Sequence, residues 1–108
     1  METLFVYGTL GPDRPNAHIM ENIGGTWIKG SVEGTLEQKG WGAEMGYPGI
    51  ILDKSGNRVH GFLFSSANLA SNWKILDDFE GDEYERVPVE VTTELGDQVV
   101  SSIYMLKS

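Results

Sequence analysis

The sequence contains no cysteine, and basic residues are scarce. A chain without thiols has no disulfide framework, no thiolate nucleophile and no thiolate metal site. Eight Lys and Arg residues stand against sixteen Asp and Glu residues, which gives a formal net charge of −8. Nucleic-acid binding begins with neutralisation of phosphates by a basic face. Neither a nucleic acid nor an anionic membrane surface is therefore an expected partner.

Long hydrophobic runs are also missing. No segment approaches the roughly 20 apolar residues that span a bilayer, and the N-terminal residues 1–7 carry no basic region of the kind that opens a signal peptide. The expected localisation is therefore cytoplasmic. A chain of 108 residues is long enough for one closed core but not for two, so we predict a single domain over residues 1–108.

Fourteen glycines are spread along the chain, and they mark turns between short apolar runs. This pattern predicts several short strands and a mainly antiparallel α+β fold, of which a small barrel is one form. Strands are predicted at 3–7, 27–38, 50–53 and 58–65, with a hairpin of 86–94 and 98–106. In the second strand, Ile28, Val32 and Leu36 are expected on one face, with bends at Gly30 and Gly34. Helices are predicted at 16–23 and 66–79.

The second helix carries a carboxylate that breaks its pattern. Ser66 is the expected N-cap, and Gly81 follows near the C-terminal end. At about 100° per residue, Trp73, Leu76 and Glu80 all fall within about 40° of Leu69. Asp77 and Asp78 instead fall on the boundary and on the solvated face. Among these acids, only Glu80 is expected to face inward.

An inward carboxylate at a helix C-terminus meets both desolvation and the negative end of the helix dipole, so the predicted pKa of Glu80 is raised. Such a group suits general acid/base catalysis near neutral pH. Three alternatives stay open at this point. The helix frays before Glu80, the carboxylate pairs with Arg86, or it accepts backbone N–H bonds as a structural group.

Two short motifs carry a family resemblance. Tyr7-Gly8-Thr9-Leu10 follows the first strand, and the run 76–81 ends in Phe-Glu-Gly before Tyr84 and Arg86. The chain resembles the gamma-glutamylcyclotransferase-like superfamily, closest to its gamma-glutamylamine cyclotransferase branch and small bacterial relatives. Pro15-Asn16, His18, Tyr47-Pro48-Gly49 and the run 61–64 extend the likeness over nearly the whole chain.

The resemblance implies a small β-barrel flanked by short helices and an acyl-transfer reaction that releases 5-oxoproline. It makes Glu80 the catalytic acid/base, the segment Tyr7, Gly8, Thr9 and Leu10 the substrate loop, and Tyr84 and Arg86 supporting residues around the site. The partner that it implies is a small gamma-glutamyl compound, and no cofactor is required. After the loop, Gly11-Pro12-Asp13 departs from relatives that carry a basic residue there, which leaves the choice of substrate open.

No metal site is predicted, because His18 and His60 are 42 positions apart and a metal site usually needs three or four ligands. The acidic run from Asp77 to Glu85 lacks the loop spacing of an EF-hand and is expected to be a solvated face. Trp41, in a glycine-rich segment, is a candidate for the border of the pocket. The rival to an enzyme is a binding module that keeps the pocket for a small amino-acid-like ligand or a protein partner.

Overall fold

The computed structural model of the chain describes residues 2–39, 48–54 and 56–107. Trp41 and part of the predicted turn 54–57 lie outside these ranges. Seven strands and two α-helices follow one another along the described chain. They are β1 (Glu2–Val6), α1 (Ala17–Ile23), β2 (Thr26–Glu33), β3 (Thr35–Glu37), β4 (Gly49–Ile51), β5 (Arg58–Ser66), α2 (Trp73–Glu80), β6 (Tyr84–Thr93) and β7 (Gln98–Leu106), with a 3₁₀ turn at Leu69–Ser71 before α2.

Five strands close into a barrel in the order β1-β5-β2-β6-β7. All neighbouring pairs are antiparallel except β1 and β7, which meet in parallel at Leu4 and Ser102. The short strands β3 and β4 form a separate two-stranded sheet. The prediction of a small, mainly antiparallel α+β barrel flanked by short helices is confirmed.

The core is divided between the inside of the barrel and the space between the barrel and its helices. Adjacent residues of one strand enter different clusters, as Phe5 lies with Ile103 and Leu63 while Leu4 lies with Met20 of α1 and Leu76 of α2. Successive side chains of a strand point to opposite faces. The cluster that contains Phe5 therefore fills the barrel, and the cluster that contains Leu4 joins the outer face of the barrel to the helices. Strand β1 is therefore covered on both faces.

The prediction for α1 is confirmed, and that for the second helix is wrong at its start. Asn16 precedes α1, and Gly24 follows it with a φ of 81°. Ser66, expected as an N-cap, is the last residue of β5, where its hydroxyl donates to the carbonyl of Gly24 and accepts the Asn68 N–H at 3.0 Å. These contacts hold the chain in a tight turn, so α2 begins only at Trp73.

Two predictions about the strands also need correction. The expected strand 27–38 is divided at Gly34, because β3 leaves the barrel to pair with β4. Leu36 consequently lies 44% exposed instead of sharing the buried face of Val32, and Gly30 stands within the continuous strand β2. The hairpin of β6 and β7 is confirmed, with a φ of 89° at Gly96 in its turn. In the part of the chain that is described, none of the helices has the length and apolar character needed to cross a bilayer.

Candidate active site

A pocket opens where the end of β1 passes the C-terminal end of α2. It contains about 450 Å³ of space between atoms, including the solvent at its mouth. The described residues that line it come from β1 and the following loop, from Pro48, from α2, and from strands β6 and β7. They are Leu4, Phe5, Val6, Tyr7, Gly8, Thr9, Leu10, Pro48, Glu80, Tyr84 and Tyr104. The four residues of the predicted substrate loop and Glu80 thus share one pocket.

Glu80 reaches this pocket because it is the last residue of α2 and follows a buried turn. Leu76, one turn earlier, is fully buried in the core, and residues four apart lie on the same helix face. The N–H of Gly81 then closes the helix on the carbonyl of Asp77 at 3.1 Å, and Gly81 takes a φ of 80°. Leu69 belongs to the 3₁₀ turn, so the part of the predicted stripe that lies on the α-helix runs from Trp73 to Glu80.

Desolvation controls the electrostatics of Glu80. Burial raises the pKa of this carboxyl from 4.5 to about 7, in agreement with the prediction from its place on the helix. The pKa of the Tyr84 phenol is also raised, most by burial and next by the negative charge of Glu80. A carboxyl with a pKa near 7 is both protonated and ionised in useful amounts at neutral pH, as proton transfer in both directions requires.

Tyr7 forms a wall of the pocket through its side chain. Its hydroxyl donates to the carbonyl of Tyr104 at 2.8 Å and accepts the N–H of Ile50 at 3.0 Å. Burial raises its pKa well above the usual range, so the phenol keeps its proton. Tyr7 therefore ties the start of the predicted substrate loop to β7 and β4.

The loop after Tyr7 uses its carbonyl groups for its own fold. The carbonyl of Gly8 accepts the Gly11 N–H at 3.1 Å, and that of Thr9 accepts the Asn16 N–H at 2.9 Å. Thr9 and Leu10 are buried. At Gly8, a Cβ atom would have no described atom within 4 Å. The described residues therefore leave the space beside Gly8 open to a ligand that approaches the main chain.

Asp77 lies outside the pocket but contacts one of its walls. Its side chain is 43% exposed, as expected for a boundary residue of the helix, but it also has partners within the fold that the sequence did not predict. Its Oδ1 accepts the Tyr104 hydroxyl at 2.6 Å and the Arg86 Nε–H at 3.0 Å. Desolvation acts to raise the pKa of Asp77, but these hydrogen bonds and the Arg86 charge outweigh it, so the pKa lies below its usual value. The Arg86 guanidinium also lies 4.2 Å from the centre of the Trp73 ring.

The structure places the two predicted supporting residues differently. Tyr84 lines the pocket directly, whereas Arg86 is held by Asp77 outside it. Tyr104 and Pro48 are pocket residues that the sequence reasoning missed. The cross-strand pairing of Arg86 with Tyr104 brings both to Asp77, and this register is not visible in the local sequence. Among the described residues, no three His, Asp or Glu side chains stand close enough to hold a metal ion.

Solved structures that resemble this chain share its fold. The YkqA protein of Bacillus subtilis is 23% identical, with a TM-score of 0.76 over 98% of this chain and 36% of its own. A protein from Arabidopsis thaliana is 21% identical, with a TM-score of 0.76 over 97% of this chain and 61% of its own. The chain thus spans less than two thirds of the length of either protein.

An AIG2-like protein from Mus musculus is 27% identical, with a TM-score of 0.73 over 97% of this chain and 76% of its own. A comparison with curated protein sequences gives no significant match. The family profile "Gamma-glutamyl cyclotransferase, AIG2-like" matches residues 4–108. These residues include the whole pocket, and the chain therefore belongs to the gamma-glutamyl cyclotransferase, AIG2-like family.

Proposed function

We propose that this protein is a gamma-glutamyl cyclotransferase-type enzyme that converts a gamma-glutamyl amine or peptide into 5-oxoproline and a free amine. The observation that carries the proposal is a half-buried Glu80, whose pKa desolvation raises to about 7, in one pocket with the loop from Tyr7 to Leu10. The membership of the family supports the reaction class. The proposal takes residues 1–108 as one catalytic domain that acts on a small molecule.

The chemistry begins with removal of a proton from the alpha-ammonium group of the substrate by ionised Glu80, since only the neutral amine is a nucleophile. The amine nitrogen then forms a bond to the gamma-carbonyl carbon and closes a five-membered ring. The bond from this carbon to the departing nitrogen breaks as Glu80 returns its proton to that nitrogen. The ring nitrogen gives up its second proton to the released amine, which leaves as an ammonium ion. Atoms and charge balance without a cofactor or an added water molecule.

The main contribution of the protein is to fold the substrate for this attack. The nucleophile and the carbonyl belong to one molecule, and well-oriented intramolecular reactions reach effective molarities of roughly 10⁵ M or more. The loop beside the open space at Gly8 is suited to hold the alpha-amino and carboxylate end of the substrate, because its main chain is accessible there. We expect Glu80, which lines the same pocket, to meet the alpha-nitrogen.

The test is direct detection of 5-oxoproline by mass spectrometry after incubation with a panel of gamma-glutamyl amines and dipeptides. We expect the Glu80→Gln variant to be inactive. Glu85→Gln, at an exposed position of β6, is the matched control. We expect product from the native protein and the control, and a loss of at least 100-fold with Glu80→Gln. Retained ligand binding in that variant would separate lost chemistry from lost structure.

Turnover by Glu80→Gln at the native rate would overturn the role of Glu80. Binding of panel members by the native protein without any 5-oxoproline would instead support a binding module. The leaving group of the best substrate identifies the substrate specificity of the enzyme. The sequence of the segment Gly11-Pro12-Asp13 does not reveal this specificity.

A further inference from the structure

Tyr104 on β7 takes part in two hydrogen bonds that reach two different parts of the proposed site. Its hydroxyl donates to Oδ1 of Asp77 on α2 at 2.6 Å. Its main-chain carbonyl accepts the hydroxyl of Tyr7, at the start of the predicted substrate loop, at 2.8 Å. Tyr104 itself is buried, and it lines the pocket together with Glu80. One residue of the barrel thus contacts both the helix and the loop that supply the site.

The hydrogen bond to Asp77 bears on Glu80 through the last turn of α2. Asp77 precedes Glu80 by one helical turn, and its carbonyl accepts the N–H of Gly81, where the helix ends, at 3.1 Å. The carbonyl groups of a last turn lack some of the partners that the helix interior has, so this turn frays more easily. A hydroxyl that donates to a carboxylate forms a charge-assisted bond, which is stronger than a neutral one. The Tyr104 hydroxyl therefore holds the turn that carries Glu80.

The carbonyl of Tyr104 has a similar effect on the loop. The Tyr7 hydroxyl that it accepts also receives the N–H of Ile50 at 3.0 Å. Ile50 lies two residues after Pro48, which lines the pocket. The start of the loop and the segment of Pro48 are thus tied to the main chain of β7. This strand pairs with β6 along its whole length, so both ties end on a rigid element.

We propose that Tyr104 is a positioning residue that sets the separation between the substrate loop and Glu80 by holding both to one point of β7. The inference rests on the proposed function, because the base must come within hydrogen-bond reach of the alpha-nitrogen that the loop is proposed to hold. A displacement of about 1 Å can lower the rate of such a reaction about 100-fold. The two bonds of Tyr104 limit displacements of this kind.

Tyr104→Phe tests the helix side of this arrangement. The substitution removes the hydroxyl but keeps the ring and the main-chain carbonyl. The loop therefore keeps its tie through Tyr7, while the last turn of α2 loses its tie through Asp77. For the best gamma-glutamyl substrate, we expect kcat to fall about tenfold or more and KM to stay within about twofold. Tyr7→Phe releases the loop instead, so it should mainly raise KM, by about fivefold or more.

Ser101→Ala is the matched control for a general loss of stability. The Thr3 hydroxyl donates to Ser101 Oγ at 2.7 Å and joins β1 to β7, and neither residue is among the described residues that line the pocket. The control thus loses a buried hydrogen bond of the same strand, three residues before Tyr104. We expect its kcat to stay within about twofold of the native value. An equal fall of kcat in Ser101→Ala and Tyr104→Phe would show a merely structural role and would overturn the proposal.

Amide hydrogen exchange, followed by NMR in the unliganded protein, tests the ties without turnover. In Tyr104→Phe, the Gly81 N–H should exchange about tenfold faster or more, while the Ile50 N–H stays within about twofold of its native rate. In Tyr7→Phe, the Ile50 N–H should be the one that exchanges faster. An unchanged rate at Gly81 or an unchanged kcat in Tyr104→Phe would overturn the inference. If exchange responds as expected but the native protein forms no 5-oxoproline, the proposed function fails while the ties stand, so the two failures are distinguishable.

Discussion

Replacement of Glu80 by glutamine should make the protein more stable at alkaline pH and leave its stability nearly unchanged near pH 4.5. Burial raises the folded-state pKa of this carboxyl from 4.5 to about 7. Between these values the folded protein keeps a proton that the unfolded chain has lost, so stability decreases as pH rises through this window. At about 1.4 kcal/mol per pKa unit, the full loss is about 3 kcal/mol.

Glutamine has the size of a protonated glutamate and carries no charge. The variant therefore resembles the native protein where Glu80 is protonated and avoids the cost of a buried charge where Glu80 is ionised. Urea unfolding at about pH 4.5 and about pH 8.5 gives the two free-energy differences, and titration of other groups cancels between the proteins. Glu85→Gln, at the exposed position on β6, is the control for the effect of the substitution itself.

The reasoning would be refuted if Glu80→Gln changed the free energy of unfolding equally at both pH values. It would also be refuted if the variant were less stable than the native protein at about pH 8.5. The first result would mean that Glu80 is solvated when ionised, and the second that its charge is compensated within the fold. A pH-dependent gain of about 1–3 kcal/mol is the expected outcome.

Two further predictions concern the walls of the pocket. Gly8→Ala should change the free energy of unfolding by no more than about 0.5 kcal/mol, because the added Cβ has no described neighbour within 4 Å. It should raise the KM for the best gamma-glutamyl substrate about tenfold. An unchanged KM would show that the ligand does not approach the main chain at Gly8. Tyr7→Phe should cost about 1–3 kcal/mol in urea unfolding, since it leaves the Ile50 N–H and the Tyr104 carbonyl without their partner, and an unaltered stability would show that water replaces the hydroxyl.

The position of Glu80 could be predicted from local sequence because two neighbours in the chain decide it. Leu76 is drawn into the core four residues earlier, and Gly81 ends the helix with a positive φ immediately afterwards. The start of the same helix could not be predicted in this way. Ser66 has the chemistry of a helix cap, but its hydroxyl contacts Gly24, which is far away in the sequence, and it remains in β5.

Asp77 shows where sequence reasoning stops. Its helical angle places it on the boundary of α2, as for an ordinary surface acid. Its partners Arg86 and Tyr104 become neighbours only when β6 pairs with β7, and both then meet the end of α2. Pro48 reaches the pocket for the same kind of reason, through the placement of a segment distant from β1.

The sequence by itself determined the class of fold, the hairpin turn at Gly96, and the presence of a carboxylate on the apolar face of α2. These features depend on the local periodicity of apolar residues and on backbone conformations that favour glycine. Only the tertiary structure decided that the loop after β1 faces Glu80 and that Asp77 holds Arg86 outside the pocket. Closure of the barrel brings β1, β6 and β7 together, and the register of that closure depends on contacts between residues far apart in the chain.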